Sequence, residues 1–243
     1  MNSQLIDYIL HLADTTLILS QRNSEWCGHG PVLEQDIAIT NISLDLLGQS
    51  RSFYQYAASL IGGEATEDSL AYLRKEREFK NLLLVEQANG DWGQTILRQY
   101  LYSQFQYPLF EQLQNSKDEQ IAAIAAKSIK ETAYHVRWSS EWVIRLGDGN
   151  EESRSRMINA IDELWRYTGE MFAPAAYETL VDVSLLEKNW LDKVKEIFNE
   201  ATLNVPENTF MQSGGKEGKH TEQLGFILTE LQYMQRTYPD AEW

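Results

Sequence analysis

Cysteine is almost missing from this chain: its 243 residues include one, Cys27. No internal disulfide can form, and a reducing compartment, the cytoplasm, is expected. Long apolar runs are also missing. No stretch of about eighteen apolar residues exists to cross a bilayer, and the opening MNSQLIDYIL lacks the basic start and apolar run of a secretory signal. Cations are scarce, with 21 Lys and Arg against 36 Asp and Glu and a formal net charge of −15. Phosphate backbones and anionic membrane surfaces are bound by clustered Lys and Arg, so nucleic acid and membrane are excluded as partners. An anionic small molecule is for the same reason an awkward sole ligand. There is no Walker loop, no Gly-x-Ser-x-Gly and no dinucleotide fingerprint.

Hydrophobic residues make up 43% of the chain, which argues for a packed core rather than disorder. Turn-like clusters recur at 24–31, 61–68, 88–93, 114–119 and 146–150, and the segments between them have helical period and few β-branched runs. This spacing predicts helices near 3–22, 32–60, 68–88, 92–113, 118–146, 150–170, 183–201 and 220–236, with 202–219 as a long loop. No linker divides the composition, so residues 1–243 read as one all-α domain. Short connections favour antiparallel neighbours in an up-down bundle.

Two helices have informative faces. On 118–146, Ile121, Ile124, Ala125, Ser128, Thr132, His135, Val136, Ser139, Trp142, Val143 and Leu146 share one side, with Lys127, Lys130, Arg137 and Glu141 opposite. On 32–60 there are two apolar stripes, Leu33, Ile37, Leu44 and Leu47 on one and Ile39, Ile42, Leu46 and Phe53 on the other. That breadth predicts a central helix, with a neighbour covering each face.

Di-iron carboxylate bundles take one Glu from each of two helices and a Glu-x-x-His from each of two others. The three-residue spacing stacks carboxylate and imidazole on one face. Here the stripe of 3–22 is Leu5, Ile9, Leu12, Thr16 and Leu19, with Asp14 on the opposite side. That of 92–113 is Ile96, Gln99, Tyr100, Ser103, Tyr107 and Phe110. The spaced pairs on the other two helices are Leu46 and Gln49, and Thr132 and His135. The acids needed to offset the iron charge are missing, and His135 reads as a hydrogen-bonded core residue. The one literal Glu-x-x-His, Glu217 to His220, contains Gly218 and reads as a helix start with Thr221 near the N-cap. Cys27-Gly28-His29 reads as a turn between helices. The basic stretch Arg74 to Lys80 reads as a solvated helix face, as do the many carboxylates.

The segments SQRNSEWCGHGPVLEQDIAITNISLDLLGQSRSFYQYA, LAYLRKEREFKNLLLVEQANGDW, AAKSIKETAYHVRWSSEW and ATLNVPENTFMQSGGKEGKHTEQLGFILTELQYMQRTYPDAEW resemble, in order and with matching gaps, the C subunit family of phenylacetyl-CoA 1,2-epoxidases. The resemblance runs from about residue 5 to 243. It implies a ferritin-like fold and membership of a complex that inserts one atom of O₂ into the ring of phenylacetyl-CoA. It implies three partners: a catalytic subunit that carries the di-iron site, a further small subunit, and a reductase with flavin and iron–sulfur groups. For this chain it implies no catalytic residue, no metal and no cofactor. Leu46, Gln49, Thr132 and His135 then stand as vestigial equivalents of the two Glu-x-x-His pairs, with Glu131 at the edge of the stripe. Three functional readings follow. The chain is a non-catalytic structural subunit supporting the catalytic one, or a regulatory or coenzyme A-tail binding subunit, or an independent metalloenzyme built on His135 and Glu131.

Overall fold

Periodicity of 3.6 becomes ten α-helices and no strand among the described residues of the computed structural model, which are 2–239 and 241. Met1, Asp240, Glu242 and Trp243, the ends of the expected domain, lie outside the described residues. In chain order the helices are α1 (Asn2–Ser24), α2 (Leu33–Ile61), α3 (Glu67–Tyr72), α4 (Leu83–Glu86), α5 (Trp92–Leu113), α6 (Glu119–Gly147), α7 (Glu151–Leu164), α8 (Glu187–Glu200), α9 (Glu222–Leu231) and α10 (Tyr233–Thr237). The turn clusters supply the starts. Asp91 accepts the Gln94 N–H at 3.0 Å and Asp118 that of Ile121 at 3.0 Å, satisfying donors that a helix N-terminus leaves open. Asn150 and Ser153 form a reciprocal capping box on α7.

The bundle is two hairpins, α1 on α2 and α5 on α6, joined chiefly where α2 meets α6. α7 and α8 cover the outside of α5 and α6, and α9 closes over α1 and α4. The inward face expected on α6 is correct at its centre: Ile121, Ile124, Ala125, Ser128, Thr132, His135, Ser139 and Val143 are buried, while Lys127, Lys130, Arg137 and Glu141 are exposed. The central helix is not α2, however. Every residue of α1 from Tyr8 to Ser20 is buried, whereas the α2 stripe Leu33, Ile37, Leu44 and Leu47 faces solvent. α1 lies between α2 on one side and α4 and α9 on the other, so its polar positions are buried too.

Two expected helices are broken, for the same reason. Between α3 and α4 the backbone is extended at Phe79 and Leu82, which lets Lys80 donate its N–H to Asp14 at 2.8 Å. A continuous 68–88 helix would have spent that N–H internally. α7 stops at Leu164 and 3₁₀ turns follow, presenting Glu170 to the N–H groups of Leu83 at 2.8 Å and Gly214 at 2.7 Å.

The 202–219 segment, expected as a loop, contains a 3₁₀ turn at Gly215–Glu217 and is anchored over residues 77–83. Contact is backbone on backbone. A Cβ on Gly215 would lie 2.2 Å from the Asn81 carbonyl oxygen, and one on Gly218, whose φ is +76°, would lie 2.3 Å from that of Arg77. Gly215→Ala is therefore expected to destabilise the chain by about 1–3 kcal/mol, the usual cost of forced overpacking. Urea unfolding should show a lower midpoint at unchanged slope; an unchanged midpoint would mean that the segment is not clamped.

Candidate functional site

The four long helices meet around an interior whose buried polar groups are hydroxyls, amides and one imidazole. α1 contributes Thr16, Ser20 and Asn23, α2 Ser43 and Gln49, α5 Gln99, Ser103 and Gln106, and α6 Ser128, Thr132, His135 and Ser139, all buried. The hydroxyls mostly turn back onto carbonyls. Thr16 donates to Leu12 at 2.9 Å, Thr132 to Ser128 at 3.0 Å and Ser139 to His135 at 2.6 Å, while Ser20 crosses to Ser43 at 2.8 Å. The amides link helices instead. Asn23 donates to Gln99 Oε1 at 2.7 Å, and Gln99 to Ser103 Oγ at 2.7 Å. Gln106 donates to Gln49 Oε1 at 3.0 Å, and Gln49 to Glu131 Oε2 at 3.0 Å.

The structure brings the expected positions of α2 and α6 together in an antiparallel ladder. Gln49 pairs with Glu131 on one rung. His135 Nε2 pairs with Asp45 Oδ2 at 3.1 Å on the next, one helical turn away on both helices. Leu46 and Thr132 are fully buried and face no ionic group. The imidazole lies inside, while Asp45 and Glu131 sit at the rim, the Asp45 side chain about one-third exposed. His135 Nδ1 and Gln106 Oε1 are buried without a partner.

These residues do not fit a di-iron centre. Two iron ions need several converging carboxylates to offset their charge, and the inward positions hold a leucine, a threonine and amides. The two acids beside the ladder are already engaged, Glu131 by the Gln49 amide and Asp45 by the His135 ring. Among the described residues no group of three or more His, Cys, Asp and Glu side chains is placed to hold a metal ion. The other motifs diverge as well: Glu217 is exposed and pairs with Lys219, while His220 turns into the protein. Cys27 and His29 lie exposed in the turn after α1.

The whole chain, residues 1–243, matches the family described as phenylacetic acid catabolic protein. The chain belongs to this family. It is also 50% identical, over 99% of its length and 100% of the relative's, to the C subunit of 1,2-phenylacetyl-CoA epoxidase from Escherichia coli (strain K12).

In this family member the buried acids lie away from the ladder, where α1 meets the 74–86, 170–178 and 214–221 segments. Asp14 is fully buried and accepts from Tyr54, from the Arg74 guanidinium and from the Lys80 N–H. The 74–80 stretch is thus neither a continuous α-helix nor wholly solvated as expected: it holds one 3₁₀ turn at Glu76–Glu78, and Arg74 is held against Asp14 because an uncompensated buried carboxylate would be costly. Glu86 accepts from Asn81, His220, and the N–H and hydroxyl of Thr221. Thr221 does stand at the N-cap of α9, but its side chain serves Glu86 rather than the helix. Lys216 bridges Glu178 at 2.8 Å and the carbonyl of Ala173 at 2.9 Å. Burial raises the Glu170 pKa, against the pull of three backbone N–H groups. Asp14, Glu86, Glu170 and Glu178 are the acids that periodicity assigned to solvent. The only local signal for any of them was the glycine-rich stretch 214–218 with its central lysine, which marks a close approach of backbone.

Both ring nitrogens of His220 face acceptors, Glu86 Oε2 at 2.8 Å and the Phe79 carbonyl at 2.9 Å, so the ring is held as imidazolium. Burial opposes that charge, but the Glu86 hydrogen bond and charge and the Phe79 carbonyl outweigh it and raise the pKa. A histidine with a raised folded pKa adds stability that is complete below its unfolded value, about 6.5, and is lost as pH rises through the folded value. The melting-temperature gap between wild type and His220→Gln should accordingly be widest at mildly acid pH and shrink as pH rises above neutrality. A gap independent of pH from 6 to 9 would contradict the ion pair.

Proposed function

We propose that this chain is the non-catalytic structural subunit of a multicomponent phenylacetyl-CoA 1,2-epoxidase of aerobic phenylacetate catabolism. In this reading it is a single ferritin-like domain over residues 1–243, working in the cytoplasm. It supports a di-iron catalytic subunit in an assembly with a further small subunit and a reductase. Family membership and 50% identity to the C subunit of such an epoxidase support the assembly. The observation that carries the non-catalytic role is the ladder between α2 and α6. Leu46, Gln49, Thr132 and His135 occupy the inward positions, and the two nearby acids, Glu131 and Asp45, sit at the rim paired with Gln49 and His135 rather than converging on a common point. Leu46, Gln49, Thr132 and His135 are, on this reading, vestiges of a metal set.

The reading is tested by expressing this chain and its cognate catalytic subunit separately and together. The isolated chain, grown in iron-rich medium, should contain iron well below stoichiometry. On its own the catalytic subunit should be poorly soluble or inactive toward phenylacetyl-CoA and O₂, and adding this chain should restore turnover. Full activity of that subunit in isolation would refute the structural role, and coenzyme A bound by the isolated chain would favour the coenzyme-binding alternative.

His135→Leu is expected to leave turnover of the assembled complex largely intact. It should cost stability by about 1–3 kcal/mol, because the Asp45 hydrogen bond is lost from a buried site. Loss of turnover in a complex that still assembles would show that His135 takes part in the chemistry.

A further inference from the structure

The outer face of α2 is apolar where a helix on the rim of a lone domain is normally polar. Leu33 is 71% exposed, Ile37 52%, Leu44 60% and Leu47 39%. These residues fall on one stripe that runs about 20 Å along the helix axis, at 1.5 Å per residue. A contiguous exposed apolar stripe of this kind marks a contact surface.

Gly48 lies on the same stripe, and nothing within the chain explains it. It sits inside a 29-residue helix with ordinary helical backbone, and a Cβ built there meets no atom within 4 Å. Glycine weakens a helix interior relative to alanine, so the isolated domain gains nothing from it. Absence of a side chain beside Leu44 and Leu47 leaves a notch that lets another helix approach closely.

The stripe's margins specify the occupant's charge. Glu34 flanks its first turn, with Asp36, which also accepts the Gly30 N–H at 2.9 Å, and Asp45, whose Oδ2 meets His135, further along; its one arginine, Arg51, is already paired with Glu67 at 3.3 Å. A second copy of this chain would bring the same acidic margins and a further net charge of −15. Complementarity therefore favours a different chain, one with Lys or Arg beside an apolar ridge.

We infer that the face Leu33, Ile37, Leu44, Leu47 and Gly48 of α2 receives one helix of the partner bundle, an apolar ridge with basic flanks seated in the notch at Gly48. This rests on the proposed supporting role, and the test separates the two. Wild type, Leu44→Glu, Gly48→Leu and, as a control on another exposed leucine, Leu185→Glu are each co-expressed with the tagged cognate catalytic subunit. Assembly is measured by size exclusion with light scattering, and each isolated chain is melted and sized. Wild type and Leu185→Glu should assemble, and Leu44→Glu should lose co-elution with an unchanged melting temperature, since its position is exposed. Gly48→Leu should melt higher than wild type as an isolated chain, because the helix is stronger, yet bind about tenfold or more weakly because the notch is filled. That opposition of stability and affinity is not expected of a merely structural glycine. Wild-type assembly retained in both α2 variants would overturn the docking face while leaving the supporting role standing. A dimer of the isolated wild-type chain that Leu44→Glu dissolves would overturn the choice of occupant. Failure of the wild type itself to assemble would remove the supporting role on which the inference rests.

Discussion

Complete burial of the middle of α1 is the constraint from which most of the structure follows. From Tyr8 to Ser20 the helix has no solvent face, yet it carries His11, Asp14, Thr15, Thr16 and Ser20. Each polar group must find a partner inside the protein; Thr16 turns back onto its own helix, while His11, Asp14 and Ser20 reach other parts of the chain. Asp14 holds Arg74 and the extended backbone at Lys80. His11 donates from Nδ1 to the Lys80 carbonyl at 2.7 Å, and burial lowers its pKa beside Glu178. Lys216 then reaches Glu178, which ties down the 214–218 segment. The irregular third of the molecule is ordered because α1 requires it.

Charge and neutrality are sorted by position. Where the C-terminal segments fold back, acids and bases are buried in matched sets; a lone ion there would be strongly destabilising. In the middle of the bundle the groups are hydroxyls, amides and the His135 imidazole, and the carboxylates that meet them, Glu131 and Asp45, stay at the rim. Arg98 stands between the two regimes. Burial, then the nearby Arg22, pushes its pKa down to about 9, and it is held by the Gln87 carbonyl at 2.6 Å and Asn89 rather than by a carboxylate. A ladder of this kind specifies helix register, because shifting α2 against α6 by one residue would break both the Gln49–Glu131 and the His135–Asp45 pairs.

The outer stripe of α2 belongs to a different level of organisation. Every other long helix spends its apolar residues on the chain's own core, and α5 is buried on nearly all sides. α2 retains leucine and isoleucine in solvent and a glycine its own fold does not use. Such residues do nothing for the isolated chain, and they fit a molecule whose working state is an assembly.

The sequence by itself determined where most of the long helices run, several of their starts, and the inward face at the centre of α6. These are local properties: period, capping residues and side-chain chemistry can be read along one element. Two apolar stripes on 32–60 were also legible, but not which one the chain would cover. Only the tertiary structure decided that α1 rather than α2 is central, that Asp14, Glu86, Glu170 and Glu178 are buried, and that the expected 68–88 and 150–170 helices break. A helical wheel shows which way a residue points along its own helix. It carries no information about whether a segment sixty or two hundred residues away arrives to cover that direction. The partners that make burial of Asp14 tolerable come from Tyr54, Arg74 and Lys80, and those of Glu86 from His220 and Thr221. Those contacts exist only once the whole chain has closed around its first helix.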